Sequence, residues 1–330
     1  MRREHLKYLA CPACRSDIRL LAVHATSGER IENGSLGCSG CGVGYDIKAY
    51  IPRFVPGESY AASFGLQWGI HGKTQYDSHT GVGISETRFF RETRWPRRLA
   101  GETILEVGGG SGRFTEQAAR TGAMVVSLDY SRAVEANYAS NGQKPNVLIV
   151  QGDIFRMPFR EASFDKLFCF GVLQHTPDVE RAFRCLPSYL KRGGQIAVDV
   201  YRRPEGWKRF FTTKHWVRPL TRRLPPATLY WLVRSYVTAA WPVTRLLSRI
   251  PRVGKKLNWA LLIADHRGVF PLPERLLKEW AILDTFDILS PAYDFPQRLE
   301  TVQQWFRGAG LTHYEVQYGY NGIEGRGRKG

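Results

Sequence analysis

The chain has 330 residues, 43% of them hydrophobic, and a formal net charge of +17 from 47 Lys/Arg against 30 Asp/Glu. That length and apolar content support one large or two modest globular domains and exclude a disordered polypeptide. No apolar secretory leader follows Met1 and no uninterrupted run reaches the roughly 18 apolar residues of a spanning helix, so a cytoplasmic protein is expected.

Residues 1–56 carry Cys11-Pro12-Ala13-Cys14 and Cys38-Ser39-Gly40-Cys41, separated by 23 residues. In a reducing compartment two such knuckles point to metal rather than to disulfides. Four thiolates form the closed tetrahedral set of structural Zn2+, so Cys11, Cys14, Cys38 and Cys41 are the expected ligands of a small zinc ribbon. The metal would compensate for a core too small to stand alone, or the module would grip a substrate such as RNA. Cys169 and Cys185 stand apart and read as small buried hydrophobes. Residues 57–98 form a linker without clear periodicity, mixing Tyr60, Phe64, Trp68 and Tyr76 with Gln67, His71, Gln75 and Asp77.

Residues 99–201 read as alternating strands and helices. Apolar runs TILEV, MVVSL, NVLIV, FDKLFCF and QIAVDVY each end in a turn rich in glycine or polar residues. The first runs into Glu106-Val107-Gly108-Gly109-Gly110-Ser111-Gly112, ahead of the helix-like RFTEQAARTG. Missing side chains in such a strand–turn–helix let the backbone approach a nucleotide-like ligand. Asp129 ends the second strand about 20 residues on, the place of a ribose-binding acid. Gly152-Asp153 put a further carboxylate after the third. A dinucleotide-binding dehydrogenase needs no acid there, and no hydride-transfer residues are identifiable.

The succession resembles the class I S-adenosylmethionine-dependent methyltransferases. The resemblance implies an α/β, Rossmann-like, seven-stranded, mostly parallel sheet whose last strand is antiparallel. It also implies S-adenosylmethionine as co-substrate. Its expected site comprises Glu106, Gly108, Gly110, Gly112, Asp129 (ribose), Tyr130, Gly152, Asp153 (adenine), Ile154 and Phe170. The segment before the first core strand would be a lid, with 64–68 and 74–78 capping cofactor or acceptor. His175, Asp199 and Tyr201, near the ends of the fourth and fifth strands, are the candidate proton acceptors.

Residues 202–275 fall where acceptor-specific insertions occur in that family. They hold sixteen Lys/Arg against Glu205, Asp265 and Glu274, with Trp207, Trp216, Trp231, Trp241 and Trp259. Prolines 219, 225, 226, 242 and 251 are expected to break the stretch into short helices. Such a basic aromatic surface suits an anionic membrane interface, single-stranded nucleic acid, or simply a solvated cap on the core. Its aliphatic runs favour lipid. Within residues 276–330 a helix, LETVQQWFRGAGL, precedes a hairpin turning at Asn321-Gly322 and completing the sheet. The stretch from Leu283 to Asp294 lacks periodicity and reads either as acceptor-site lining or as a plain loop. The leading expectation is a methyltransferase acting on a small amphiphilic or lipid-linked acceptor, peripheral at the inner membrane face. The alternatives are an RNA-base methyltransferase and a non-catalytic cofactor-binding module.

Overall fold

Chain order already dictates the layers. In the computed structural model, which describes residues 1–55, 60–206 and 213–330, the N-terminal stretch folds into strands β1 (Ile18–Ser27), β2 (Arg30–Cys38), β3 (Gly44–Lys48) and β4 (Ile51–Arg53). Helices α1 (Ala62–Ile70), α2 (Asp77–Thr80) and α3 (Ile84–Thr93) follow. The alternating unit comprises β5 (Thr103–Val107), α4 (Arg113–Arg120), β6 (Met124–Asp129), α5 (Ala133–Asn141), β7 (Val147–Gln151), β8 (Phe164–Cys169), α6 (Val179–Cys185) and β9 (Leu190–Val200). Then come α7 (Lys214–Thr221), α8 (Pro226–Leu247), α9 (Gly254–Ala260) and α10 (Glu274–Leu289). Helix α11 (Leu299–Gly308) and the hairpin β10 (Leu311–Gly319) and β11 (Gly322–Lys329) end the chain. Trp207 and residues 57–59 of the linker lie outside the described residues.

The described strands form one eleven-stranded sheet in the order β1-β2-β3-β4-β7-β6-β5-β8-β9-β11-β10. From β7 to β9 all neighbours are parallel, and β11 inserts antiparallel between β9 and β10. This is the expected seven-stranded order, with β5 at the switch point. The cysteine-bearing strands prolong it instead of standing apart: β4 lies parallel to β7, with Arg53 opposite Gln151.

Alternation assigns the strands' faces. Leu105, Val107, Val126, Leu128, Leu148 and Val150 share a core with Leu9, Leu36 and Ile47 of the N-terminal module and with Phe183 and Phe306. Ile104, Val125, Val147 and Ile149 turn to the other face, against Phe89, Phe114 and Val134. A third core joins Leu229, Val233, Val237 and Trp241 of α8 to Leu276, Trp280 and Phe286 of α10. That four-residue spacing is one helix stripe.

Two expectations about this region need correction. Pro225 and Pro226 do start a helix, but Pro242 does not break it, and α8 runs 22 residues. Pro242 and Thr238 are both exposed, so the carbonyl deprived of its amide partner faces water, while Trp241 and Thr244 hold the buried stripe. The unperiodic stretch from Leu283 to Asp294 is helical as far as Leu289, as the end of α10, whose buried residues point several ways because α1, α7 and α8 all pack against it. No described helix is long and apolar enough to cross a membrane.

Candidate active site

The loop between β5 and α4 bends where only glycine is comfortable. Gly108 has φ +80, and a Cβ there would stand 2.2 Å from Val172. Gly112 has φ +95, and a Cβ would meet Asn137 at 2.1 Å. Both positions are strained for any other residue. Under the loop lies a buried polar network. The Thr115 hydroxyl donates to Glu106, while Asn137 Nδ2 donates to Thr115 Oγ1 and Ser127 Oγ, each at 3.0 Å. Burial pushes the Glu106 carboxyl up to about 7. Asp129 braces the loop from β6: its Oδ2 accepts from Gly110 N (2.8 Å), and its Oδ1 accepts from Ser131 N and Oγ (2.8 and 2.7 Å). Burial raises its pKa, while those donors oppose the rise.

Above the carboxyl ends of the strands lies a cavity of about 650 Å³, within the roughly 300–1,000 Å³ of small-molecule sites. Gly108, Gly110, Asp129, Tyr130, Gly152, Ile154 and Phe170 line one end. Phe64, Gln67, Trp68 and Arg88, from α1 and α3, cover it; His175, Tyr201, Trp280, Asp284, Asp287 and Asp294 line the rest. His175 Nδ1 lies 2.9 Å from Tyr293 O. A carbonyl only accepts, so Nδ1 carries the proton and the neutral ring keeps its lone pair on Nε2. The ring meets Tyr201 edge-on at 5.4 Å and Phe64 at 5.1 Å.

A parallel-centred sheet with a glycine loop and a strand-end acid at its switch point is shared by S-adenosylmethionine- and dinucleotide-binding folds, and comparison with known proteins decides between them. The methyltransferase domain family matches residues 105–198. The demethylmenaquinone methyltransferase of Thermobifida fusca is 30% identical over 102 residues, which are 30% of this chain and 43% of that protein. That of Mycobacterium marinum is 27% identical over 217 residues, 60% of this chain and 90% of its own. A sterol 24-C-methyltransferase of Eremothecium gossypii is 30% identical over 160 residues, 47% of this chain and 37% of the other. The chain carries a class I S-adenosylmethionine-dependent methyltransferase domain.

Not every expected residue of this methyltransferase reaches the cavity wall. Glu106 and Gly112 lie beneath the loop and do not line it. Asp153 stands near Tyr60 and Tyr130, but its Oδ1 caps the following turn by accepting from Phe155 N at 2.9 Å. Asp199 corrects the expectation of a proton acceptor. It is wholly buried, one oxygen accepts from Gly171 N, and the other pairs with Arg88. Tyr201 does line the cavity, yet burial pushes its phenol far above the ordinary range. Of the three candidates, His175 lines the cavity with Nδ1 engaged by a backbone carbonyl, which leaves Nε2 as the acceptor nitrogen.

Sequence reasoning missed Arg88, Arg113, His266 and Trp280, which also line the methyltransferase cavity. The Arg88 guanidinium joins Asp199 and donates through Nε to Glu92 Oε1 at 2.6 Å. Burial, with Asp199's charge behind it, raises the Glu92 carboxyl to about 9, so Glu92 stays protonated at neutral pH. His266 and Asp284 pair at 2.7 Å. Their only sequence signal was the run of acids from Asp284 to Asp294 opposite a basic stretch.

At the far edge of the sheet, the sulfurs of Cys11, Cys14, Cys38 and Cys41 lie within 4.8 Å of one another. Cys11–Cys41 and Cys14–Cys38 are 3.7 and 3.3 Å apart. Tetrahedral Zn–S bonds of about 2.3 Å imply sulfur separations of this order. Arg15, just past the first knuckle, donates to Met157 O (3.0 Å) and Tyr189 Oη (2.8 Å), tying the knuckle to the catalytic half.

Proposed function

We propose that this methyltransferase modifies an amphiphilic, lipid-like acceptor at an anionic membrane surface. One observation carries the reading: the cavity extends to an exposed face rich in aromatic, aliphatic and basic side chains. Trp259 and Val269 line the cavity and are themselves 43% and 56% exposed. Beside them α7, α8 and α9 present Trp216 (72% exposed), Leu220 (69%), Trp231 (65%) and Leu246 (64%). Exposed Arg234, Arg245, Arg249 and Lys256 lie among these residues. An interfacial protein combines such anchors with such cations. Relatives named for menaquinone and sterol methylation act on lipophilic molecules, which supports the same reading. Cysteines clustered for a metal fit a reducing, cytoplasmic location at the inner membrane face.

In this reading the backbone at Gly108–Gly110 borders the methionine end of S-adenosylmethionine, and Asp129 uses its remaining lone pairs on the ribose hydroxyls. Tyr130, Ile154 and Phe170 enclose the adenosine end, with Asp153 nearby. The co-substrate supplies an activated methyl group. The chain's own residues align the acceptor, exclude water beneath α1 and α3, and receive a proton at His175 Nε2 when the acceptor must lose one. Four cysteines hold a structural zinc that pins the N-terminal strands to the sheet edge.

Flotation with phosphatidylglycerol-rich vesicles tests the surface. Binding is expected at low salt, and the double substitution Arg234→Gln, Arg245→Gln should weaken it roughly thirtyfold, at about 1 kcal/mol per cation. Equal recovery with phosphatidylcholine vesicles, or none with either, contradicts the reading.

A further inference from the structure

The carboxylates around the acceptor end of the cavity are not all paired. Asp284 and His266 Nε2 lie 2.7 Å apart, and Asp294 pairs with Lys214 at 2.9 Å and with Arg218. Asp287 has no ion pair among the described residues; its Oδ1 accepts only a 3.2 Å bond from Gln67 Nε2. Arg113 also lines the cavity and has no ion pair among the described residues; the carboxylates acting on it most strongly are Asp284 and Asp199.

Hydrogen bonding points the same way. Gln67 Oε1 and Asp294 Oδ1 are buried and lack any donor, and both residues line the cavity beside Asp287. An unmatched buried acceptor costs about 1–3 kcal/mol, so two such acceptors beside the Asp287 carboxylate call for a ligand that brings protons. A hydrophobic quinone or sterol ring brings few. Aromatic rings of Phe64, His175 and Tyr201 form the adjoining wall, a setting that also favours a cation.

We propose that this corner binds a protonated amine on the acceptor, with Asp287 as its counter-ion and Gln67 and Asp294 accepting its remaining N–H groups. The inference rests on the amphiphilic-acceptor reading and narrows it to amphiphiles with an ammonium head. Asp287 is a binding and positioning residue for that head, and no proton or methyl transfer is assigned to it.

The test is titration calorimetry on the full chain saturated with S-adenosylhomocysteine, using dodecylammonium and dodecanol below their aggregation limits at neutral pH. The protein's charge of +17 opposes non-specific uptake of a cation. Dodecylammonium should bind at least about tenfold tighter than dodecanol, the scale of a charge-assisted hydrogen bond. Asp287→Asn should abolish that preference while leaving dodecanol binding unchanged. Dodecanol binding as tightly as the amine in the wild-type chain overturns the ammonium site alone, whatever the variant does. Failure of both ligands overturns the amphiphilic reading with it.

Discussion

Single residues divide here into those that touch the cavity and those that hold them there. Glu106 belongs to the second kind, and its burial makes it a pH probe. Its carboxyl sits at about 7 when folded against an ordinary 4.5. Between those values the folded chain binds more protons than the unfolded one, so Glu106 lowers stability progressively as pH rises from about 4.5 to about 7, and no further above that. Thermal melts across this window should show a shallower decline for Glu106→Gln than for the wild type; parallel profiles would show that Glu106 is not the titrating group. Position was readable in the sequence at the strand ends: Gly108, Gly110 and Asp129 do line the cavity. It misled at Asp199. Parity puts Asp199 on the same strand face as Tyr201, but one pair deeper, where it meets Arg88 from α3 instead of the acceptor.

Among the elements, α3 shows how a lid can be fixed to a core. Arg88 links that helix to the Asp199 carboxylate, and it stacks over Phe114 at 5.1 Å and Tyr320 at 5.6 Å. Removing one partner of a buried pair leaves a stranded charge, at a cost of about 3–5 kcal/mol. Arg88→Met should therefore lower the free energy of urea unfolding by that amount; a change under about 1 kcal/mol would mean the pair is solvated. The five parallel strands were legible as apolar runs because both sheet faces are covered. Helix α10 was not, since a helix packed on several sides shows no polar face and hence no period. Pro242 misled for the opposite reason: a local rule was outweighed by a buried stripe and an exposed carbonyl.

Across the whole molecule, one sheet connects the cysteine cluster to the cavity. Leu9, Leu36 and Ile47 share a core with Leu128 and Val150, the strands that deliver Asp129 and Gly152. Metal loss should therefore be felt beyond the knuckles. Metal analysis should find one zinc per chain, and chelation or Cys38→Ser should lower the melting temperature by several degrees, about 2–4 °C per kcal/mol for a chain of this size. Zinc present with no effect on the melt would make the cluster independent of the sheet. The sequence showed the cysteine spacing and the basic stretch, but the sharing of one core depends on packing between segments far apart in the chain, such as Leu9 and Val150, which no local pattern records. The same long-range packing brings the exposed face of α7–α9 to the mouth of the methyl-transfer cavity, and this is the central claim. It is tested most directly by incubating the full chain with S-adenosyl-L-[methyl-³H]methionine and isolated membranes, then partitioning the products. The account predicts label in the organic, lipid-soluble phase, lost with Asp129→Ala; label confined to aqueous RNA or protein, with none in the lipid phase, would contradict it.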